Sequence, residues 1–124
     1  MPAGEIKPYG FEKAERLLKR GEFLRILRQP ERRFISDHFH LLLKQNQLPR
    51  TRLGVIISKK VGSAVKRNRV KRHLREFFRM NKHLLSSGLD LLVIVQPGAA
   101  DIDVGRIKKE LNALIRQSPS LTND

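Results

Sequence analysis

His38 and His40 form an H-x-H pair, and two imidazoles on one strand face can begin a metal site. Zinc wants three or four ligands. No acid or thiol that would complete the set is evident nearby, and the chain has no cysteine. The pair therefore reads as two ordinary strand histidines, and no metal site is expected. Asp90, Asp101 and Asp103 flank an apolar run, but a two-metal nuclease needs clustered carboxylates. Asp103 suits a helix cap and Asp90 a strand entry. His73 and His83 stand alone, and no Ser/His/Asp or Cys/His set stands out. The expected set of catalytic protein residues is empty. Val61-Gly62-Ser63-Ala64 superficially resembles a phosphate-binding helix start. It lacks the G-x-x-x-x-G-K-[ST] pattern, so an RNA phosphate fits there and a nucleotide cofactor does not.

The chemistry the sequence does support is polyanion binding. Lys59 to Arg79 reads KKVGSAVKRNRVKRHLREFFR, nine Lys/Arg side chains against one acid, Glu76. On a helical wheel centred on Val70, residues Leu74, Phe77 and Phe78 fall within about 80° of it, a stripe that faces a core. Asn68, Arg72, Arg75 and Arg79 fall near the opposite pole, with Lys71 beside them. A merely solvated face would interleave acids for i,i+4 pairing, and here only Glu76 is available. Guanidinium forks suit bidentate phosphate contacts, and Asn68 can meet a base edge or a 2′-hydroxyl. A second candidate surface is a groove formed by Phe23 and Leu27 with His40 or Leu42, where aromatic groups would stack on unpaired bases.

These side chains need elements to hold them. Phe23, Ile26 and Leu27 at i, i+3 and i+4 predict a short amphipathic helix ended by Pro30. Phe34-Ile35 suggests a short strand. Residues 38–45 alternate as a strand, and Leu53 to Ser58 is a second; the turn between them suggests a hairpin over 38–58. The basic helix follows. Leu89 to Val95 is a strand with the composition of one covered on both faces. A last helix begins after Asp103, with Ile107, Leu111, Leu114 and Ile115 on one face. The order α-β-β-β-α-β-α predicts an α+β two-layer domain with a four-stranded mixed sheet and three helices. Residues 1–15 read as a flexible lead-in, 16–117 as a single domain and 118–124 as a flexible tail.

The totals agree with this reading. The 124 residues suit one domain, and 26 Lys+Arg against 12 Asp+Glu leave a formal charge of +14. Nucleic acid or an anionic surface would relieve that self-repulsion. The absence of cysteine fits a reducing cytoplasm. The longest apolar run is far too short to span a bilayer, and no secretory signal is visible.

The segment Gly54 to Arg79, with Arg67-Asn68-Arg69 and the preceding Ser58-Lys-Lys-Val-Gly62, resembles the protein subunit of bacterial ribonuclease P. The likeness covers roughly residues 15–117. It implies an α+β protein with a left-handed crossover between parallel strands. That protein would assist a catalytic RNA in removing the 5′ leader from precursor tRNA by metal-dependent phosphodiester hydrolysis, with Mg2+ used by the RNA-containing holoenzyme and no cofactor bound by the protein alone. The partners implied are the catalytic RNA and precursor tRNA with its leader; neither membrane nor DNA is expected. Carried over by position, Lys59, Lys60, Arg67, Asn68, Arg69, Lys71, Arg72, Arg75 and Arg79 would face the catalytic RNA. Phe23, Leu27 and Leu42 would line the leader groove, Leu27 and Leu42 standing where the family often has aromatics. Gln96-Pro97 replaces a frequent Arg-Pro or Arg-Lys. Two other readings are a ribosomal or ribosome-associated RNA-binding protein and a stand-alone protein nuclease.

Overall fold

β4 (Leu89–Val95) organises the molecule, because six of its seven residues are apolar and a strand apolar on both faces belongs in the middle of a sheet. In the computed structural model, which describes residues 19–81, 85 and 88–117, β4 lies between β2 (Phe39–Gln45) and β3 (Arg52–Ile57). β1 (Arg32–Ile35) completes the sheet in the order β1-β2-β4-β3. β1–β2 and β2–β4 are antiparallel, while β3–β4 is parallel. The hairpin expected over 38–58 is therefore replaced by a β1–β2 hairpin. β2 and β3 run on either side of β4, because that strand offers both of them a partner apolar at every position but Asp90. The lead-in at 1–15 and the tail at 118–124 lie outside the described residues.

Alternation along the strands divides the core in two. Phe39, Leu41, Leu43, Leu53, Leu91, Val93 and Val95 point to one face, where α2 (Ala64–Asn81) and α3 (Val104–Arg116) cover them. These two layers hold most of the buried apolar surface. Val70, Leu74 and Phe78 are the buried stripe of α2; Ile107, Leu111 and Leu114 are that of α3. The opposite face carries Leu42 and Leu92, onto which α1 (Arg20–Arg28) presses the fully buried Ile26. Asp103 caps α3 as its pattern required, accepting the Arg106 N–H at 2.8 Å.

A buried ionic hub fixes α1 to the sheet. The Asp90 carboxylate is completely buried. It accepts from Arg25 of α1, from Arg52 of β3 at 2.8 and 2.9 Å, and from Asn46 at 2.8 Å. Arg52 also pairs with Glu22 of α1. Burial pushes the Asp90 carboxyl up, but the hydrogen bonds from Arg52 and Asn46 and the two guanidinium charges outweigh it, so its pKa lies below the ordinary aspartate value. Asp90 does open a strand, and it is also the tie between α1 and the sheet.

Candidate nucleic-acid interface

α2 starts where β3 ends. A single 3-10 turn, Lys59–Val61, buries Val61 and leaves Lys59 and Lys60 exposed. Gly62 follows with φ +152, and a Cβ there would press on the Lys66 side chain at 3.1–3.2 Å. Ser63 Oγ then accepts the Lys66 N–H at 3.3 Å, satisfying one free donor of the first turn. This start sets the rotation of α2. With Val70, Leu74 and Phe78 locked into the core, the opposite side has to face solvent.

The exposed side carries Asn68, Arg69, Arg72 and Arg75. None of the three arginines is in an ion pair among the described residues. Val65, 79% exposed, sits on the same side one turn earlier. Lys71 and Arg67 are half-buried on the flank. Arg67 differs from its neighbours: its Nε is shielded from solvent without a hydrogen-bond partner. Arg79 is half-buried and pairs with Glu76, its Nε donating at 3.1 Å. The ridge thus has an uncompensated centre, residues 68–75, and a partly neutralised end at 79.

The positive charge of this surface reaches beyond α2 in a way the periodicity of α2 does not show. His73 is held below the ordinary histidine value by burial and by the charges of Arg69, Arg72 and Lys108. Lys108 belongs to α3, and it also acts on Glu76. The positive field therefore spans both helices. Lys108 is one of two adjacent exposed lysines of α3, with Lys109, and nothing in the α3 pattern singles it out.

The groove residues are placed differently from the expectation. Phe23 is half-buried and lines a shallow open depression with Arg20, Leu24, Val55 and Ile56. Leu42 is only 3% exposed, packed with Ile26 and Leu92. It forms the floor beneath α1 and offers no surface for stacking, because α1 covers the middle of that sheet face. Leu27 is 37% exposed at the end of α1 and is not part of the depression. The next row of the sheet on this face is only partly covered. The register aligns Ile35, His40, Ile94 and Ile56 across all four strands. Ile35 is exposed and the other three are half-buried.

His38 and His40 do not converge on a metal. His38 Nδ1 lies 2.6 Å from Glu110 Oε2, a carboxylate that also accepts from Ser36 Oγ, the His38 N–H and Arg106. An acidic partner for His38 thus exists, brought by α3. Burial raises the Glu110 carboxyl, and the hydrogen bonds from His38 and Ser36 outweigh that and lower it. The cluster clamps the β1–β2 turn to α3. Among the described residues no group of three or more His, Cys, Asp or Glu is arranged to hold a metal ion, and no helix is long and apolar enough to cross a membrane.

Comparison with known proteins agrees with this geometry. The family model described as Ribonuclease P matches residues 11–118. The ribonuclease P protein component of Syntrophus aciditrophicus is 36% identical over 114 residues, covering 92% of this chain and 95% of that protein. That of Citrifermentans bemidjiense is 46% identical over 103 residues, covering 83% and 87%. Among solved structures, the Staphylococcus aureus RNase P protein superposes with a TM-score of 0.80 at 30% identity, covering 89% of this chain and all of that one. The Thermotoga maritima protein gives 0.73 at 33% identity, covering 82% and 96%.

Proposed function

Because the chain belongs to the ribonuclease P protein family, we propose that it is the RNA-binding subunit of that ribonucleoprotein, docking through the exposed side of α2 onto a catalytic RNA. The observation that carries this reading is the ridge itself. Asn68, Arg69, Arg72 and Arg75 are held on a helix whose other side is locked by Val70, Leu74 and Phe78. Rigid guanidinium groups without acidic partners suit phosphate oxygens of a folded RNA. Lys59 and Lys60 at the head of α2, with Lys71 and Arg67 on its flank, extend the same contact. Arg79 contributes less, since Glu76 already engages it.

In this reading the RNA performs metal-assisted hydrolysis of precursor tRNA, with Mg2+ held by the RNA-containing assembly, and the work is done in the cytoplasm. The protein contributes positioning. Its α1 face receives the single-stranded 5′ leader, with Phe23 at one side and the row Ile35, His40, Ile94 and Ile56 as the platform on which bases rest. Leu42 lies in the adjoining row on the same face, under α1, and borders that platform without contributing a stacking surface. The ribosomal alternative is not favoured, since the relatives are ribonuclease P components.

The test is reconstitution with a catalytic ribonuclease P RNA at low magnesium. Addition of the protein should increase release of the 5′ leader from precursor tRNA. No gain would overturn the assignment, and cleavage by the protein without RNA would overturn the division of labour.

A further inference from the structure

Resting on the reading that the α1 face takes the leader, we infer that the single strand crosses the sheet perpendicular to the strands and is gripped at the β1 edge by Arg33. The register pairs Arg33 with Leu42 and Ile35 with His40, so Arg33 and Ile35 lie on the α1 face. β1 is the edge strand, and Ile35 is 57% exposed with Arg33 exposed beside it.

The other cations of this sheet face are occupied. Arg52 is taken by Asp90 and Glu22. Lys44 Nζ donates to the Gln29 carbonyl at 2.9 Å. Arg33 engages no carboxylate or carbonyl among the described residues. At the far edge the depression beside β3 carries Arg20, again without an acidic partner among the described residues. The row from Ile35 to Ile56, exposed at Ile35 and half-buried from His40 onward, is therefore flanked by a free guanidinium near each end. Three inter-strand steps make the crossing about 14 Å long. Apolar side chains in the middle meet bases, and the two arginines meet phosphates, which is how sequence-tolerant single-strand sites are built.

Arg33 is thus a determinant of leader binding separate from the α2 ridge. Its edge position in a short hairpin strand makes it replaceable without loss of the core. The experiment compares wild-type, Arg33→Ala and Phe23→Ala holoenzymes. It measures Kd for precursor tRNA with a long leader, for precursor tRNA with a minimal leader and for mature tRNA, with unfolding midpoints as the control on folding. Arg33→Ala should weaken long-leader binding about five- to tenfold and reduce its log–log salt slope by about 0.7. Minimal-leader and mature tRNA binding should be unchanged, and Arg33→Lys should restore part of the loss. An unchanged long-leader Kd, or an equal loss on all three substrates, would overturn the crossing path. If Phe23→Ala still shows a leader-dependent loss in that case, the groove stands and only the path falls. If neither variant depends on the leader, the groove reading falls with it.

Discussion

Replacing Asp90 by Asn should be among the most damaging single-atom changes available to this fold. The side chain is 0% exposed, and it accepts hydrogen bonds from two arginines and an asparagine. An amide in its place presents an N–H2 group to donors, so at least one contact becomes donor against donor. Removing one partner of a buried ion pair costs about 3–5 kcal/mol. The lower end applies, because the Arg25 side chain is 39% exposed and can rehydrate. Arg52 also keeps Glu22. A loss of ~3 kcal/mol corresponds to a fall in Tm of about 10 °C for a domain of this size. Urea and thermal unfolding followed by circular dichroism would measure it. The acid limb gives an independent sign. The Asp90 pKa is depressed on folding, so its contribution is complete above the ordinary aspartate value and disappears as pH falls through the folded-state pKa. Asp90→Asn should therefore flatten the acid limb of the stability profile. A loss below ~1 kcal/mol, the range of an exposed ion pair, would refute the claim that this hub ties α1 to the sheet.

Three further outcomes are expected. Arg72→Ala or Arg75→Ala should lower the log–log salt slope of catalytic-RNA binding by about one per lost contact, while Arg79→Ala, whose guanidinium is engaged by Glu76, should change it less; equal slopes for all three would contradict the graded ridge. His73, whose pKa is held down by burial and then by the Arg69, Arg72 and Lys108 charges, should take up a proton when RNA docks, because phosphate offsets those charges; NMR of the imidazole should show an upward shift on binding, and RNA affinity should rise as pH falls through that window. Leu74→Ala should cost about 3 kcal/mol in denaturant unfolding, as a truncation in the core beneath the ridge, while leaving the RNA salt slope of the folded fraction unchanged.

Local pattern made α2 legible. A helix repeats every 3.6 residues, so the separation of Val70, Leu74 and Phe78 from Arg72 and Arg75 is already present in eighteen consecutive residues. The strands were legible one at a time for the same reason, and their partners were not. The turn after Gln45 looks like a hairpin loop, and nothing local reveals that β4, more than thirty residues on, separates β2 from β3. Asp90 meets Arg25 across 65 positions and Arg52 across 38. Glu110 meets His38 across 72. Such pairs are set by topology, so Asp90 looked like a strand entry and His38 appeared to lack an acid. Alternation puts Leu42 on the correct side of the sheet, but only the docking of α1 shows that this side is covered at Leu42, partly covered at His40, Ile94 and Ile56, and open at Ile35.

The central claim, that the exposed side of α2 is the RNA-docking surface, can be tested by thiol protection, since the chain has no cysteine of its own. Single variants Asn68→Cys, Arg75→Cys and, on the loop after β2, Leu48→Cys would be alkylated with and without catalytic ribonuclease P RNA. Strong RNA protection is expected at positions 68 and 75 and little at 48. Protection at 48 with free reaction at 68 and 75 would contradict it.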